Sequence, residues 1–327
     1  MVKLSPEDAL VREIFLGFSK GRELGVRVAA GDDAAIWQAR KGQETILTSD
    51  WFLEGTHFLR ELHPADSVGW KCLARATSDI AAIGGTPRCF LLNLALPKTS
   101  TGNWLSGFLR GLRRAANTLG CALAGGDTTR QERILINVAV IGEVAKRAAI
   151  LRSGARPDDL LFVSGRLGEA ALGLRLLRKS RGKVRTGSAA VRKHLYPEPR
   201  IELGDWLAKH GIASAMMDLS DGLSSDLARL CEASGVGAVV SEGVVPMAAG
   251  LSRTEAIRLA LHGGDDYELL FTVPALEIPR FRRLWKSQFG VPISCIGVIS
   301  KKRKLLLVKE DSETVELVPG GWDPFRE

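Results

Sequence analysis

The chain has 327 residues, too long for one ordinary core and sufficient for two domains of roughly 150 residues each. Hydrophobic residues make up 45% and charged residues 25%, a globular composition that excludes a disordered chain. The net charge of +8 suits a solvated basic surface or attraction of an anionic small molecule, and no zinc module, RNA-recognition signature or basic stripe interleaved with aromatics points to nucleic acid.

In chain order, residues 44–48 read as a strand that ends in polar residues. Residues 66–83 read as a helix with Asp66 as N-cap and Gly84 and Gly85 as its stop. A buried strand at 90–96 is closed by Pro97. Leu105, Phe108, Leu109, Leu112, Ala116 and Leu119 then recur at helical spacing, and Gly120 ends that helix. Strands follow at 121–124 and 134–141. The Gly-, Pro- and charge-rich run at 152–159 sets a domain boundary near residue 145. Beyond it come a strand at 160–163, a helix at 168–179, a basic connector at 180–190, a strand at 213–217 and a helix at 221–233. Strands at 236–240 and 267–273 and short strands after Ile293 complete the pattern. Strict β–α–β alternation is missing, so the pattern predicts α+β rather than a doubly wound parallel sheet.

The five cysteines, Cys72, Cys89, Cys121, Cys231 and Cys295, are odd in number, widely spaced and set in apolar runs, the usage of reduced thiols in a cytoplasmic protein. The five histidines never fall at metal-ligand spacing, which argues against zinc. No apolar stretch approaches the ~18–20 residues of a membrane span.

The chain has no GxxxxGK[ST], no GxGxxG after a strand, no protein-kinase set and no GxSxG. It carries instead aspartates beside glycine and small apolar residues: Asp32 and Asp33, Asp50, Asp79, Asp127, Asp218 and Asp221, and Asp265 and Asp266. Each alone reads as a cap or turn residue. As a set flanked by Ala, Gly, Ile and Leu they imply partial burial, and gathered carboxylates there must protonate or find cations. Hard divalent ions such as Mg²⁺, held by a few carboxylates together with substrate phosphates, satisfy that need. Neighbouring glycines let backbone N–H groups approach phosphate oxygens. Ser220 or Asp221 is expected to cap the following helix and to leave a phosphate site at its start.

These segments, in this order, resemble the thiamine-monophosphate kinase family of the aminoimidazole-ribonucleotide-synthetase-like superfamily. The matching stretches are 31–35, TSDWFLEGTHF at 48–58, KCLARATSDIAAIGGTP at 71–87, GGDTTR at 125–130, RSGARPDD at 152–159, MDLSDGLSSDL at 217–227, HGGDDYELLFTVP at 262–274 and GWDPF at 321–325. The resemblance implies that Asp33, Thr48, Ser49, Asp50, Asp79, Asp127, Asp218 and Asp221 hold several Mg²⁺ ions, with Asp50, Asp79, Asp127 and Asp218 central to catalysis. It implies that Gly126, Asp127, Arg152 and Ser220 contact ATP and that His57, Asp265 and Trp322 contact thiamine phosphate. An indole is a sensible partner for a cationic thiazolium. Two departures stand out. Asp265 replaces the family's usual Glu, and Pro324 precedes Phe325 where the family commonly has His.

The resemblance further implies a two-domain α+β fold. Residues 1–145 form an ATP/Mg-binding and dimerisation domain whose sheets pair across a homodimer, and an α+β domain at 146–327 completes the active site. The implied reaction is in-line transfer of the γ-phosphoryl of ATP onto thiamine phosphate, in which alignment and charge neutralisation dominate. The alternatives are another ATP-using enzyme of the superfamily, of the purine-intermediate synthetase type, and a non-catalytic nucleotide-binding module. The stretches at 48–58 and 321–325 point away from the synthetases.

Overall fold

The structure is a computed structural model that describes residues 5–18, 21–29, 33–181, 188–285 and 289–326. Gly31 and Asp32 of the first aspartate motif, and residues 182–187 of the expected connector, lie outside the described residues. The chain divides into two compact units, Met1–Ile80 with Gly85–Arg147, and Ala81–Gly84 with Ala148–Glu327.

The first unit runs α1 (Pro6–Phe15), β1 (Val26–Val28), β2 (Ile36–Trp37), β3 (Gln43–Leu53), α2 (Ala65–Ala82), β4 (Thr86–Leu96), α3 (Asn103–Leu119), β5 (Ala122–Arg130) and β6 (Leu135–Ala145). Strands β3, β6, β4 and β5 form a sheet in that order; β4 and β5 are parallel and the other pairs antiparallel. In β6 the aliphatic residues alternate between buried and half-buried, as expected of a sheet covered more fully on one face. Helices α2 and α3 cross closely because glycine stands at each contact. A Cβ at Gly69 would fall 2.0 Å from the Phe108 carbonyl oxygen, and one at Gly111 would fall 1.8 Å from that of Asp66. Leu73, Ile80, Phe90, Leu105, Phe108 and Leu112 are fully buried in this unit's core.

The second unit runs β7 (Leu160–Ser164), α4 (Glu169–Lys179), α5 (Ala189–Leu195), α6 (Ile201–His210), β8 (Ala215–Leu219), α7 (Leu223–Ser234), β9 (Gly237–Ser241), α8 (Arg253–His262), β10 (Glu268–Val273), α9 (Ile278–Leu284), β11 (Ile293–Ser300), β12 (Leu305–Val308) and β13 (Thr314–Glu316). Among the described residues the sheet order is β13-β12-β9-β11-β7-β10-β8, antiparallel except for β12 with β9. Successive side chains feed two cores. Leu161, Val163, Met217, Leu219 and Leu270 pack with α7 residues, while Phe162, Met216, Leu269 and Phe271 pack with Trp206 of α6 and Phe281 of α9. Both larger sheets are mixed, and β1 pairs antiparallel with β2 in a separate two-stranded sheet, so the fold is α+β as expected.

Four expectations change. Asp66, expected as the N-cap of its helix, lies within the first turn of α2, which begins at Ala65. The strand expected at 44–48 is the eleven-residue β3, so Ser49 and Asp50 lie inside the strand with Thr48 and not after it. The strand expected at 121–124 extends through Asp127 to Arg130. The end of the expected connector, Ala189 and Ala190, begins α5. Among the described residues no helix is long and apolar enough to cross a membrane.

Candidate functional site

In the first unit the expected metal and nucleotide residues sit on regular elements. Thr48 on β3 donates its hydroxyl to Asp79 on α2. Two residues on, Asp50 faces the same helix, with Arg75 Nε 3.7 Å from its carboxylate. The Arg75 guanidinium also lies over the Phe52 ring, 5.3 Å from its centroid. Ser49 points to the other face of β3 and accepts a 2.9 Å hydrogen bond from Asn137 Nδ2. On that face Asn137 of β6 pairs in register with Asn93 of β4, and Asn93 with Asp127 of β5. A polar row therefore crosses the sheet from Ser49 to Asp127.

The structure thus divides these residues between two faces, with Thr48, Asp50 and Asp79 on the helix-covered face and Ser49 and Asp127 on the other. Asp127 Oδ1 accepts from the Thr128 N–H at 2.8 Å. Gly126 precedes it at φ 150, with a virtual Cβ only 1.9 Å from the Leu92 carbonyl oxygen, so no larger residue fits there. Asp33 is exposed, just before β2. His57 accepts the Leu53 N–H through Nδ1 at 3.0 Å, which leaves Nε2 to carry the proton of the neutral ring, and it lies 5.9 Å from the Phe52 ring.

In the second unit the expected residues gather where β8 ends and α7 begins. Asp218 is buried on β8, opposite Leu269 of β10. The carbonyl of Ser220 accepts from the Asp265 N–H at 2.7 Å, and the carbonyl of Asp221 accepts from the Trp322 N–H at 2.9 Å. Gly320 and Gly321 donate their N–H groups to the hydroxyls of Ser224 and Ser225. The segments carrying Ser220, Asp221, Asp265 and Trp322 are therefore tied together by backbone hydrogen bonds. A cleft of about 330 Å³ opens among Arg258, His262, Gly263, Gly264 and Trp322. Arg152 is exposed, and its carbonyl accepts from Ser234 Oγ at the end of α7.

The start of α7 departs from expectation. Its N-cap is Gly222 and no side chain caps it from that position. Asp226, one turn inside the helix, accepts the N–H groups of Asp221 (3.0 Å) and Gly222 (3.1 Å). Asp226 thus occupies the two N–H groups that lead into the helix. Burial, reinforced by Asp221, pushes the Asp226 carboxyl up to about 6, and Arg229 bridges both acids at 2.5 and 2.6 Å.

Two buried acids follow Asp265: Asp266, which the sequence pattern already places in the aspartate set, and Glu268, which sequence reasoning missed. Asp266 accepts the N–H groups of Gly168 and Ala170 at the start of α4, and burial pushes it up to about 7. Glu268 is fully buried with Lys193, Arg200 and Ser164. Burial alone would raise it, but Lys193 and Arg200 prevail and hold it down at about 2. A charged residue in an otherwise apolar strand was the available signal. Its cationic partners, 75 and 68 residues away, were not legible.

Among the described residues no three His, Cys, Asp or Glu side chains gather as a ready-made metal cage. The donors present are oxygen only. They fit magnesium, which demands few protein ligands and completes its shell with water and substrate phosphate, and they do not suit zinc.

The chain matches the family model of the AIR synthase related protein N-terminal domain over residues 31–144 and that of the C-terminal domain over 156–310. It is 36% identical over 312 residues to the thiamine-monophosphate kinase of Escherichia coli K12, covering 94% of each chain. Among solved structures it is similar to the thiamine-monophosphate kinase of Stenotrophomonas maltophilia K279a, with a TM-score of 0.82 and 34% identity over 95% of this chain and 98% of that one. It is also similar to AaThiL complexed with AMPPCP and TMP, with a TM-score of 0.75 and 32% identity over 93% and 94% of the two chains.

Proposed function

This chain belongs to the thiamine-monophosphate kinase family, and from that premise we propose that it transfers the γ-phosphoryl group of ATP to thiamine phosphate, forming thiamine diphosphate and ADP. The reading is carried by full-length likeness to enzymes of that name, one of them held with a methylene analogue of ATP.

In the reaction a phosphate oxygen of thiamine phosphate attacks the γ-phosphorus, and the bond from that phosphorus to the bridging β,γ-oxygen breaks. The attacking oxygen is already deprotonated at neutral pH, so no strong general base is needed. What remains is to align two polyanions and offset their repulsion. We assign Asp33, Thr48, Ser49, Asp50, Asp79, Asp127, Asp218 and Asp221 to holding Mg²⁺, with Asp50, Asp79, Asp127 and Asp218 closest to the transfer. Magnesium, when bound, supplies positive charge to the phosphate oxygens. Gly126, Asp127, Arg152 and Ser220 are assigned to ATP. The close approach of backbone at Gly126 and the free side-chain surface of Arg152 support that assignment. His57, Asp265 and Trp322 are assigned to thiamine phosphate. Trp322 is 49% exposed, which leaves its ring face open to a cationic heterocycle.

We propose further that the protein is a homodimer in the cytoplasm. The less covered face of the first unit's sheet exposes Leu47 (75%) and Trp51 (56%) on either side of Ser49, two apolar side chains of the kind that a second copy covers. Reduced cysteines and an ATP substrate support the location.

The test is ADP formation by the purified protein with Mg·ATP and thiamine phosphate, compared with unphosphorylated thiamine. Rapid ADP release with the phosphate ester alone supports the reading. Tight Mg·ATP binding without ADP release in either case rejects it in favour of a non-catalytic nucleotide-binding module.

A further inference from the structure

The segment that carries Trp322 belongs to no helix or strand, yet hydrogen bonds fix it at successive residues. The Gly320 N–H donates to Ser224 Oγ at 3.1 Å, the Gly321 N–H to Ser225 Oγ at 3.0 Å and the Trp322 N–H to the Asp221 carbonyl at 2.9 Å. Arg326 Nη1 then reaches back to the Gly321 carbonyl at 3.1 Å. The segment lies flat against its supports. A Cβ at Gly320 would fall 2.8 Å from His262 Nδ1, and one at Gly321 would fall 2.2 Å from the Asp221 carbonyl oxygen. The Trp322 ring is half exposed, so its placement depends on the backbone that carries it.

Ser224 is the pivot of this arrangement. It is fully buried in the first turn of α7, and its Oγ lies 2.9 Å from Nδ1 of His262, the last residue of α8. The Ser224 oxygen accepts from Gly320, so its own proton goes to Nδ1. His262 is then the neutral tautomer with its proton on Nε2. Burial, with Arg258 and Arg326 nearby, lowers the His262 pKa and keeps the ring neutral. An oriented chain of hydrogen bonds therefore runs from α8 through α7 to Gly320, two residues before Trp322. His262, Gly320, Gly321 and Trp322 all line the cleft of about 330 Å³ described above.

We propose that Ser224, with His262 as its acceptor, is a positioning residue for Trp322: the pair latches residues 320–322 against the start of α7 and so sets the affinity for thiamine phosphate. The inference rests on the reading of Trp322 as a contact to that substrate. Steady-state kinetics test it. In Ser224→Ala the KM for thiamine phosphate should rise about tenfold, while kcat and the KM for ATP stay within about twofold. His262→Leu removes the acceptor from a half-buried position and should do the same with less disturbance of the core. In a Trp322→Ala background the Ser224 exchange should add less than about twofold, because a residue that acts through the indole has nothing left to place. An unchanged KM for thiamine phosphate in both single variants, equal rises in both KM values, or a full rise that persists without the indole overturns the proposal.

Hydrogen exchange of the purified protein, followed by mass spectrometry, reads the latch without turnover. The amides of residues 318–323 should exchange at least about fivefold faster in Ser224→Ala than in wild type, with the melting temperature held. Faster exchange there, with no thiamine-phosphate-dependent ADP release by the wild type, would leave the latch standing and remove the acceptor assignment. Unchanged exchange at these residues, with ADP release intact, would keep the kinase and overturn the latch.

Discussion

Asp265 sits at φ 70 and Tyr267 at φ 50, two left-handed residues that are not glycine within one short turn. Aspartate tolerates that region, but a buried tyrosine there costs on the order of 1–3 kcal/mol. The turn is held by the Asp265 N–H on the Ser220 carbonyl and the Tyr267 N–H on the Leu219 carbonyl. The geometry aims the Tyr267 hydroxyl at Asp265 Oδ1, 2.8 Å away, while His194 Nδ1 lies 3.7 Å from Oδ2. Asp265 is one methylene shorter than the family's usual Glu, and these two side chains fix where its carboxylate stands. Tyr267→Phe removes a hydrogen bond to a charged group, of about 1.5–3 kcal/mol. The KM for thiamine phosphate should rise about tenfold with the KM for ATP unchanged, as measured by steady-state kinetics. Equal rises in both would show that Tyr267 supports the whole unit and not Asp265.

At the scale of elements, β10 begins with the buried Glu268, which anchors α5 through Lys193 and the start of α6 through Arg200. Its carboxyl is held at about 2, below the ordinary 4.5, so the unfolded chain binds more protons between those values. The stability it contributes is complete above pH 4.5 and is lost as pH falls toward 2. Glu268→Gln should cost about 3–5 kcal/mol at pH 7, since it leaves buried cations without their counter-charge. Denaturant melts from pH 7 to 2 should show a shallower acid-side loss in the variant. A variant as stable as wild type at neutral pH would contradict this account. The same elements show what a sequence discloses. Helix α3 was legible from its apolar spacing and from Gly120, which ends it in a left-handed conformation. Helix α8 carried a readable start, Ser252 accepting from the Glu255 N–H, yet its apolar stripe is short and was passed over. Helices α5 and α6 owe their position to Glu268, a partner distant in sequence, which periodicity cannot express.

For the whole molecule, the acids were legible as a set because aspartate beside glycine and small apolar residues is chemically conspicuous, whereas their distribution over faces was not. That Thr48 and Asp79 meet while Ser49 turns toward Asn137 follows from strand alternation only once β3 is known to run through residue 53. The cap at α7 was assigned to the wrong side chain because Asp226 acts backward from inside the helix. The proposed dimer gives a prediction at this scale. Trp51→Glu replaces an exposed indole on the less covered sheet face with a charge and should convert a dimer to monomers in analytical ultracentrifugation, whereas wild-type protein that sediments as a monomer would remove the dimer from the account. The central claim is that the aspartates of β3, α2 and β5 hold the magnesium that carries the phosphates. The most direct measurement is kcat of purified Asp127→Asn, with folding checked by circular dichroism and Mg²⁺ affinity by calorimetry. The account predicts a fall in kcat of at least about a hundredfold with weakened Mg²⁺ binding and an intact fold; near-normal turnover by the folded variant would contradict it.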